Sequence, residues 1–330
     1  MTGTFGLGEA VELAVLERSG FIESRHAGSA VVLGPEGDVL ASFGDPSAPI
    51  FPRSCLKPFQ AIAIMGAGVT LEGTQAVLAT ASHAGTNRHV QVVRSILARA
   101  RIDDSALQCP ADWPGDTRSR DELVRDSLGQ SPLYMNCSGK HAAMLLACAQ
   151  NGWDPSSYLD PAHPLQLAVR DTIERFTGEK PSATGVDGCG APVFAISLNG
   201  LARGIGRVVG SSPTSPFALY RNAGLLTAAV LANGWALDGP GRANTLVIER
   251  LGIFAKLGAE GVMVMSSPGG ATVALKVLDG SLRASTIIGL RLLASVGSIS
   301  SEAVDQLVPE LGLAIAGGAA QVGSIRVTTV

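Results

Sequence analysis

Pro52-Arg53-Ser54-Cys55-Leu56-Lys57-Pro58-Phe59-Gln60 runs directly into Ala61-Ile62-Ala63-Ile64-Met65. The apolar segment reads as a helix with Ser54 at its N-cap. Pro58 is tolerated there because the first turn leaves most backbone donors without helical acceptors. In that register Ser54 and Lys57 lie three residues apart on one face, a hydroxyl within reach of an amine. Such a pair is the minimum apparatus of an activated serine. A chain of this composition holds about 0.4 Ser-x-x-Lys spacings by chance, so the rest of the sequence must corroborate it.

Upstream, residues 11–17 are β-rich, and residues 29–33 and 38–43 flank the turn Gly34-Pro35-Glu36-Gly37, a hairpin signal. Downstream, helical spacing recurs over residues 71–81, 90–101, 120–128, 142–150, 163–176, 216–233 and 242–251. Residues 272–278 and 281–285 read as a second hairpin joined by Asp279-Gly280, and residues 324–330 as a terminal strand. Hairpins near both ends with helices between them predict an α/β (α+β) fold. One antiparallel sheet is built from both termini and flanked by helices, in a single domain spanning 1–330.

With 46% hydrophobic and 16% charged residues in a 330-residue chain, a sizeable core is feasible and disorder is disfavoured. A net charge of −3 leaves no electrostatic footprint for nucleic acid or an anionic membrane. Apolar stretches are interrupted well short of a membrane span, and no basic segment precedes an apolar run near Met1. Cys55, Cys109, Cys137, Cys148 and Cys189 are odd in number and scattered, which argues against a disulfide framework and for a reducing cytoplasm. Arginine far outnumbers lysine, so Lys57, Lys140, Lys180, Lys256 and Lys276 merit individual inspection as amines able to lose a proton.

Further clusters combine reactive side chains with glycine. Ser82-His83 offers a second hydroxyl, although a lone histidine beside glycine is more often a structural hydrogen-bonder than a catalyst. Cys137-x-x-Lys140-His141 and Asp187-Gly188-Cys189 offer two thiols and an amine, without any CxxC, and isolated cysteines are usually small buried hydrophobes. Asp187 reads equally as a carboxylate for a substrate ammonium or as an Asx-turn residue. Lys256 falls in a Gly-flanked turn, where a solvated surface lysine is the plainer reading. The chain has no Walker sequence, dinucleotide fingerprint, HExxH or G-x-S-x-G elbow, so phosphate-cradling and hydride-transfer functions find no support.

Taken in order, six motifs form a series: Arg53-Ser54-Cys55-Leu56-Lys57-Pro58, Ser82-His83-x5-His89, Asn136-Cys137-Ser138-Gly139-Lys140-His141, His163-Pro164-Leu165-Gln166, Asp187-Gly188-Cys189-x-x-Pro192 and Lys256-x-Gly258-Ala259. The series resembles the asparaginase II family, the Rhizobium etli type of L-asparaginase, from about Ala30 to the C-terminus. The resemblance implies the penicillin-binding protein, β-lactamase and glutaminase-like sandwich, and hydrolysis of L-asparagine to L-aspartate and ammonia. By position it implies two serine–lysine pairs, Ser54 with Lys57 and Ser82 with Lys256. It also implies a zinc site of Cys137, Lys140 and Cys189 that aids substrate binding, and a substrate pocket holding Arg53 and Asp187, with His83 and His141 inside the matched motifs. Homodimers are usual in the family. The Cys109-Pro110-Ala111-Asp112 stretch departs from the better-known member, as do several shorter connections.

The helix geometry favours Ser54 as the nucleophile, with Ser82 and Lys256 as a relay. Two rivals share parts of this pattern. A penicillin-recognising hydrolase would want a Lys-Thr-Gly strand, which the chain lacks. A non-catalytic zinc- or amino-acid-binding relative would not need all four serine and lysine positions.

Overall fold

A computed structural model describes residues 3–329. Eleven strands fall in two sheets: β1 (Val11–Arg18), β2 (Phe21–Leu33), β3 (Val39–Phe43), β4 (Pro49–Ile50), β5 (Ala183–Val186), β6 (Pro192–Ser197), β7 (Phe254–Gly258), β8 (Val262–Ser266), β9 (Thr272–Val277), β10 (Ala314–Gly317) and β11 (Ala320–Val327). The main sheet runs β10-β11-β1-β2-β9-β8-β7, with β3 also on β2, and every pairing is antiparallel. Strand β2 is long enough to serve several neighbours. Its first part pairs with β1 and its last part with β3 on the same edge, while the other edge takes β9 from Gly28↔Val277 to Leu33↔Thr272. The sheet built from both termini and flanked by helices is therefore present. Strands β4, β6 and β5 form a small second sheet.

The helices are α1 (Lys57–Gly66), α2 (Gly73–Thr80), α3 (Asn87–Ala100), α4 (Thr117–Arg125), α5 (Ser138–Asn151), α6 (Pro164–Thr177), α7 (Leu198–Val209), α8 (Ala218–Ala232), α9 (Gly234–Leu237), α10 (Ala243–Leu251), α11 (Ser285–Ser295) and α12 (Ser301–Leu307). Strands β8 and β9 are buried at every position because α7 covers one face and α11 the other. A Cβ on Gly206 would meet Thr272, and one on Gly289 would meet Met265, residues of opposite faces. This explains why both strands read as unbroken apolar runs rather than as alternating ones. Helix α1 is buried from Lys57 to Met65, and α5 from Ser138 to Cys148, so the amines at their N-termini lie inside the protein.

Three local expectations are corrected. Asp279-Gly280 does make a turn, with Asp279 accepting the Ser281 N–H at 2.8 Å, but no strand follows it and α11 begins at Ser285. Both edges of β9 are already taken by β2 and β8, so a returning strand has nowhere to pair. Lys256 is no surface turn residue but the central residue of β7, fully buried. Ser54 is not the N-cap of α1. A 3-10 turn, Arg53–Leu56, precedes the helix, and Leu56 occupies the cap. No helix of the described residues is long and apolar enough to cross a membrane.

Candidate active site

The turn that carries Ser54 is bent into place by its neighbours. Arg53 holds the left-handed φ of 53°, a conformation costing roughly 1 kcal/mol or more outside glycine. Its guanidinium is fixed by Asp187, with Nε donating to Oδ1 at 2.7 Å. Behind the turn, a Cβ on Gly258 would meet the Pro52 carbonyl at 2.4 Å and the Cys55 sulfur at 3.1 Å, so the turn lies directly against β7. The Cys55 thiol bonds the Lys256 carbonyl at 3.1 Å, and burial pushes it up to about 12, which leaves it an inert neutral group.

Within the turn the Lys57 N–H bonds the Ser54 carbonyl. Side chains three apart in a 3-10 turn fall on one side of it, which puts Ser54 and Lys57 on the same side. The amine nevertheless looks past Ser54. Lys57 Nζ donates to the Ala81 carbonyl at 2.6 Å and to the Ser82 hydroxyl at 3.0 Å. Lys256 Nζ meets that hydroxyl from the other side at 2.8 Å and also bonds the Leu257 carbonyl at 2.8 Å. Both lysines are buried. Desolvation, and then the charge of Lys57, push the Lys256 amine down to about 7.

Ser54 and Ser82 line one cavity of about 480 Å³, together with Asn136, Asp238, Asn244 and Gly258 and with Trp113 and Tyr134 further out. A larger recess of about 750 Å³ contains Arg203 and Arg207 and several hydroxyls, Ser211, Ser212, Thr214 and Ser215 among them, but no lysine or histidine to activate one, and both arginines bond carbonyls at the end of α6. The chemistry-bearing cavity is the smaller one.

His83 and His89 brace the Ser82 loop from behind. His83 Nδ1 accepts the Gly85 N–H at 3.1 Å, so its Nε2 carries the proton and faces the Ser138 hydroxyl at 2.9 Å. With both nitrogens committed, His83 ties the loop to α5, and it stacks on His89 with centroids 5.1 Å apart. Burial pushes His83 well below the usual histidine range and His89 down to about 4.

Beside this lies the sulfur cluster. Residues 187–191 close the β5–β6 hairpin, with Asp187 N–H bonding the Ala191 carbonyl at 2.8 Å and Gly190 N–H returning to the Asp187 carbonyl at 2.8 Å. Cys189 sits in that turn and faces the start of α5, where Lys140 Nζ donates to its sulfur at 3.1 Å. The Cys137 thiol donates to Asn136 Oδ1 at 2.9 Å, and its nearness to the Cys189 sulfur raises Cys137 and lowers Cys189 well below the usual thiol range. Burial opposes the charge on Lys140, but the sulfurs of Cys189 and Cys137 outweigh it and its pKa stands raised. Tyr158 Oη accepts the Gln108 N–H at 3.0 Å and lies 2.7 Å from His141 Nδ1, so the phenol proton goes to Nδ1. His141 Nε2 then carries a proton of its own, buried and without a partner. Among the described residues no three His, Cys, Asp or Glu side chains are grouped to hold a metal ion. Two thiols and an amine brought together in this way are nonetheless a donor set that fits zinc.

The structure thus brings Ser54 and Ser82 to one cavity with the buried amines of Lys57 and Lys256 on the Ser82 hydroxyl, pairs Arg53 with Asp187, and brings Cys137, Lys140, Cys189 and His141 together. Sequence reading missed Asp238, Arg242 and Asn244. Their signal was the turn Asp238-Gly239-Pro240-Gly241 just before a helix, which reads as an ordinary helix entry.

A search of curated proteins returns no match. Among solved structures, the chain is similar to a β-lactamase from Mycobacterium bovis, at 17% identity and a TM-score of 0.42, covering 82% of this chain and 95% of that one. It is also similar to a Bacillus glutaminase, at 15% identity and a TM-score of 0.44, covering 82% and 89%. The profile of the L-asparaginase II family matches residues 14–327, nearly the whole chain, and the protein belongs to that family.

Proposed function

We propose that this family member is an amidohydrolase that releases ammonia from the side-chain amide of L-asparagine and leaves L-aspartate. The observation that carries the reading is the Ser82 hydroxyl held between two buried amines, with Ser54 in the same cavity one 3-10 turn from Lys57.

Ala81 and Ser82 take two of the three Nζ positions of Lys57. The third remains for Ser54. A proton on Lys57 passes through Ser82 to the free amine of Lys256, which burial keeps available near neutral pH. Neutral Lys57 then takes the Ser54 proton while Oγ bonds to the carboxamide carbon. The first N–H groups of the 53–56 turn have no acceptor inside it and face the oxygen that gains charge. Lys57 returns its proton to nitrogen as the C–N bond breaks and ammonia leaves. Water, deprotonated by the same amine, attacks the ester carbon, and Ser54 recovers its proton as aspartate departs.

Arg53 and Asp187 carry the charges opposite to an amino acid's carboxylate and ammonium. Cys137, Lys140 and Cys189 would hold zinc, once Lys140 gives up its proton. When bound, the ion would supply a positive centre that favours the carboxylate of the substrate. An ammonia assay with asparagine, glutamine and β-aspartyl peptides side by side tests the reading. Release from asparagine is expected, and no release from any of them sinks it.

A further inference from the structure

Two segments distant from Ser54 in the chain hold the Ser82 loop and the strand on which Lys256 stands. One is the end of α9. The Leu237 carbonyl takes the Ser82 N–H at 2.9 Å, and the Asp238 carbonyl takes the Ala84 N–H at 2.6 Å. The other is the first turn of α10, where Asn244 Oδ1 accepts the Leu257 N–H at 3.1 Å. That N–H lies on the edge of β7 away from β8, one residue beyond Lys256. Edge N–H groups usually face water or another strand, yet here a buried amide side chain is dedicated to one.

The two segments are joined by their side chains. Asn244 Nδ2 donates to Asp238 Oδ2 at 3.0 Å, and the Asn244 N–H reaches the same oxygen at 3.3 Å. Arg242 Nε holds the other oxygen at 2.6 Å. Asp238 and Asn244 are only 4% and 1% exposed, so water does not substitute for either partner. The amide orientation is fixed by chemistry, because the Leu257 N–H needs an acceptor and the carboxylate needs a donor.

We propose that Asp238 and Asn244 are positioning residues whose side-chain pair ties the Ser82 loop to strand β7 and so sets the Ser82–Lys256 contact. This deepens the amidohydrolase reading and rests on it. The pair also has an electrostatic consequence. Of the charged and titratable groups facing Lys256, Lys57 opposes its charge, while Cys55, Asp238 and Cys137 favour it, and Asp238 is the carboxylate among them. Removing that carboxylate lowers the pH at which the Lys256 amine titrates.

The test combines the ammonia assay with NMR titration of ¹³Cε-labelled lysine, which the small number of lysines makes assignable. Asn244→Ala is expected to lower kcat about 100-fold with little change in KM, because a misplaced Lys256 affects the reacting geometry and not binding. Asp238→Asn is expected to move the Lys256 titration, and the acid limb of the rate with it, to lower pH. Asn244→Asp sets two carboxylates together and is expected to be as poor as Asn244→Ala. The double variant Asp238→Asn with Asn244→Asp reverses the donor and acceptor roles and is expected to recover about tenfold over the worse single variant. An unchanged kcat in Asn244→Ala, an unmoved Lys256 signal in Asp238→Asn, or a double variant no better than its parents overturns the proposal. Where a single variant does not fold, the double variant decides: folded and active supports the pairing, unfolded or inactive overturns it. If the wild type releases no ammonia, the amidohydrolase reading fails instead. The Lys256 titration in Asp238→Asn then still decides the pairing without an assay.

Discussion

Lys57 and Lys256 share one hydroxyl, although one stands at the first turn of a buried helix and the other at the centre of an edge strand. Two ammonium groups that close repel in a buried site, so the arrangement favours one surplus proton over two. Ser82 both donates and accepts, which makes it the natural conductor between them. In the proposed mechanism Ser54, three residues before Lys57, is the hydroxyl that attacks.

The two serines are therefore separable by mutation. Ser54→Ala is expected to remove ammonia release by at least about 10⁴-fold, the scale for losing a covalent nucleophile. Ser82→Ala is expected to cost about 10²- to 10³-fold, the scale for impaired proton transfer. Single-turnover ammonia release measures both. If Ser82→Ala abolishes ammonia release and Ser54→Ala keeps most of the rate, the roles are reversed.

The pH profile should carry the signature of Lys256. Its free base is the form that accepts the relayed proton, and its amine titrates at about 7. Activity is expected to rise with pH through that value and to flatten above it. Lys256→Arg, whose side chain stays charged, should lack the rise along with the activity.

Acid should loosen the fold through the histidines behind Ser82. His89 Nε2 faces the Trp235 carbonyl at 3.2 Å, and Nδ1 accepts from Thr86, whose hydroxyl lies 2.7 Å away and whose N–H lies 3.2 Å away, so the neutral ring is already satisfied and burial disfavours a second ring proton. Folded His89 binds a proton only near pH 4, whereas an ordinary histidine does so at 6.5. The unfolded chain thus binds more protons in between, and stability falls as pH drops from 6.5 towards 4, by up to about 3 kcal/mol from this residue. Urea denaturation at stepped pH would show the slope, and His89→Gln should flatten it.

Metal analysis of protein purified without chelator is expected to find stoichiometric zinc, and Cys189→Ser is expected to lose it. A Cys189→Ser protein that retains full zinc would remove Cys189 from the ligand set. Zinc affinity should weaken as pH falls, because thiol and amine donors must be deprotonated to bind.

Gly258→Ala tests the contact between the Ser54 turn and β7. A methyl group there must displace the Pro52 carbonyl, and backbone does not yield cheaply. A loss of about 1–3 kcal/mol in thermal unfolding is expected. It should come with a larger fractional loss of kcat than of substrate affinity.

Much of this was legible in the residues. Periodicity located the helices that bury α1 and α5 and the strand pair around Gly34, because in those segments local pattern and tertiary role agree. The same pattern failed at Asp279-Gly280, where turn chemistry was right but the neighbouring edges were occupied. It failed again at β10, a short exposed strand with no alternation to reveal it. Motif order grouped Ser54, Lys57, Ser82 and Lys256, yet not the fact that Lys57 reaches Ser82. That contact depends on a 3-10 turn and on Arg53 in a left-handed conformation, neither of which has a sequence signal at a non-glycine position. Asn244 was invisible for a related reason: its value lies in an unpaired strand edge that exists only after folding.

The order of strands in the main sheet has a consequence for biosynthesis. The hairpin made by β1 and β2 leaves the ribosome well before the partners that flank it, β9 and β11, which follow more than 200 residues later. Until the C-terminus emerges, both outer edges of that hairpin lack their final neighbours, and Lys256 has no finished strand to hold it. Helical contacts of short sequence separation form early, while the sheet waits on long-range closure. A chain stalled near residue 250 would then carry Ser54, Lys57 and Ser82 yet be inert. It would also be a template for pairing with other chains and a client for chaperones.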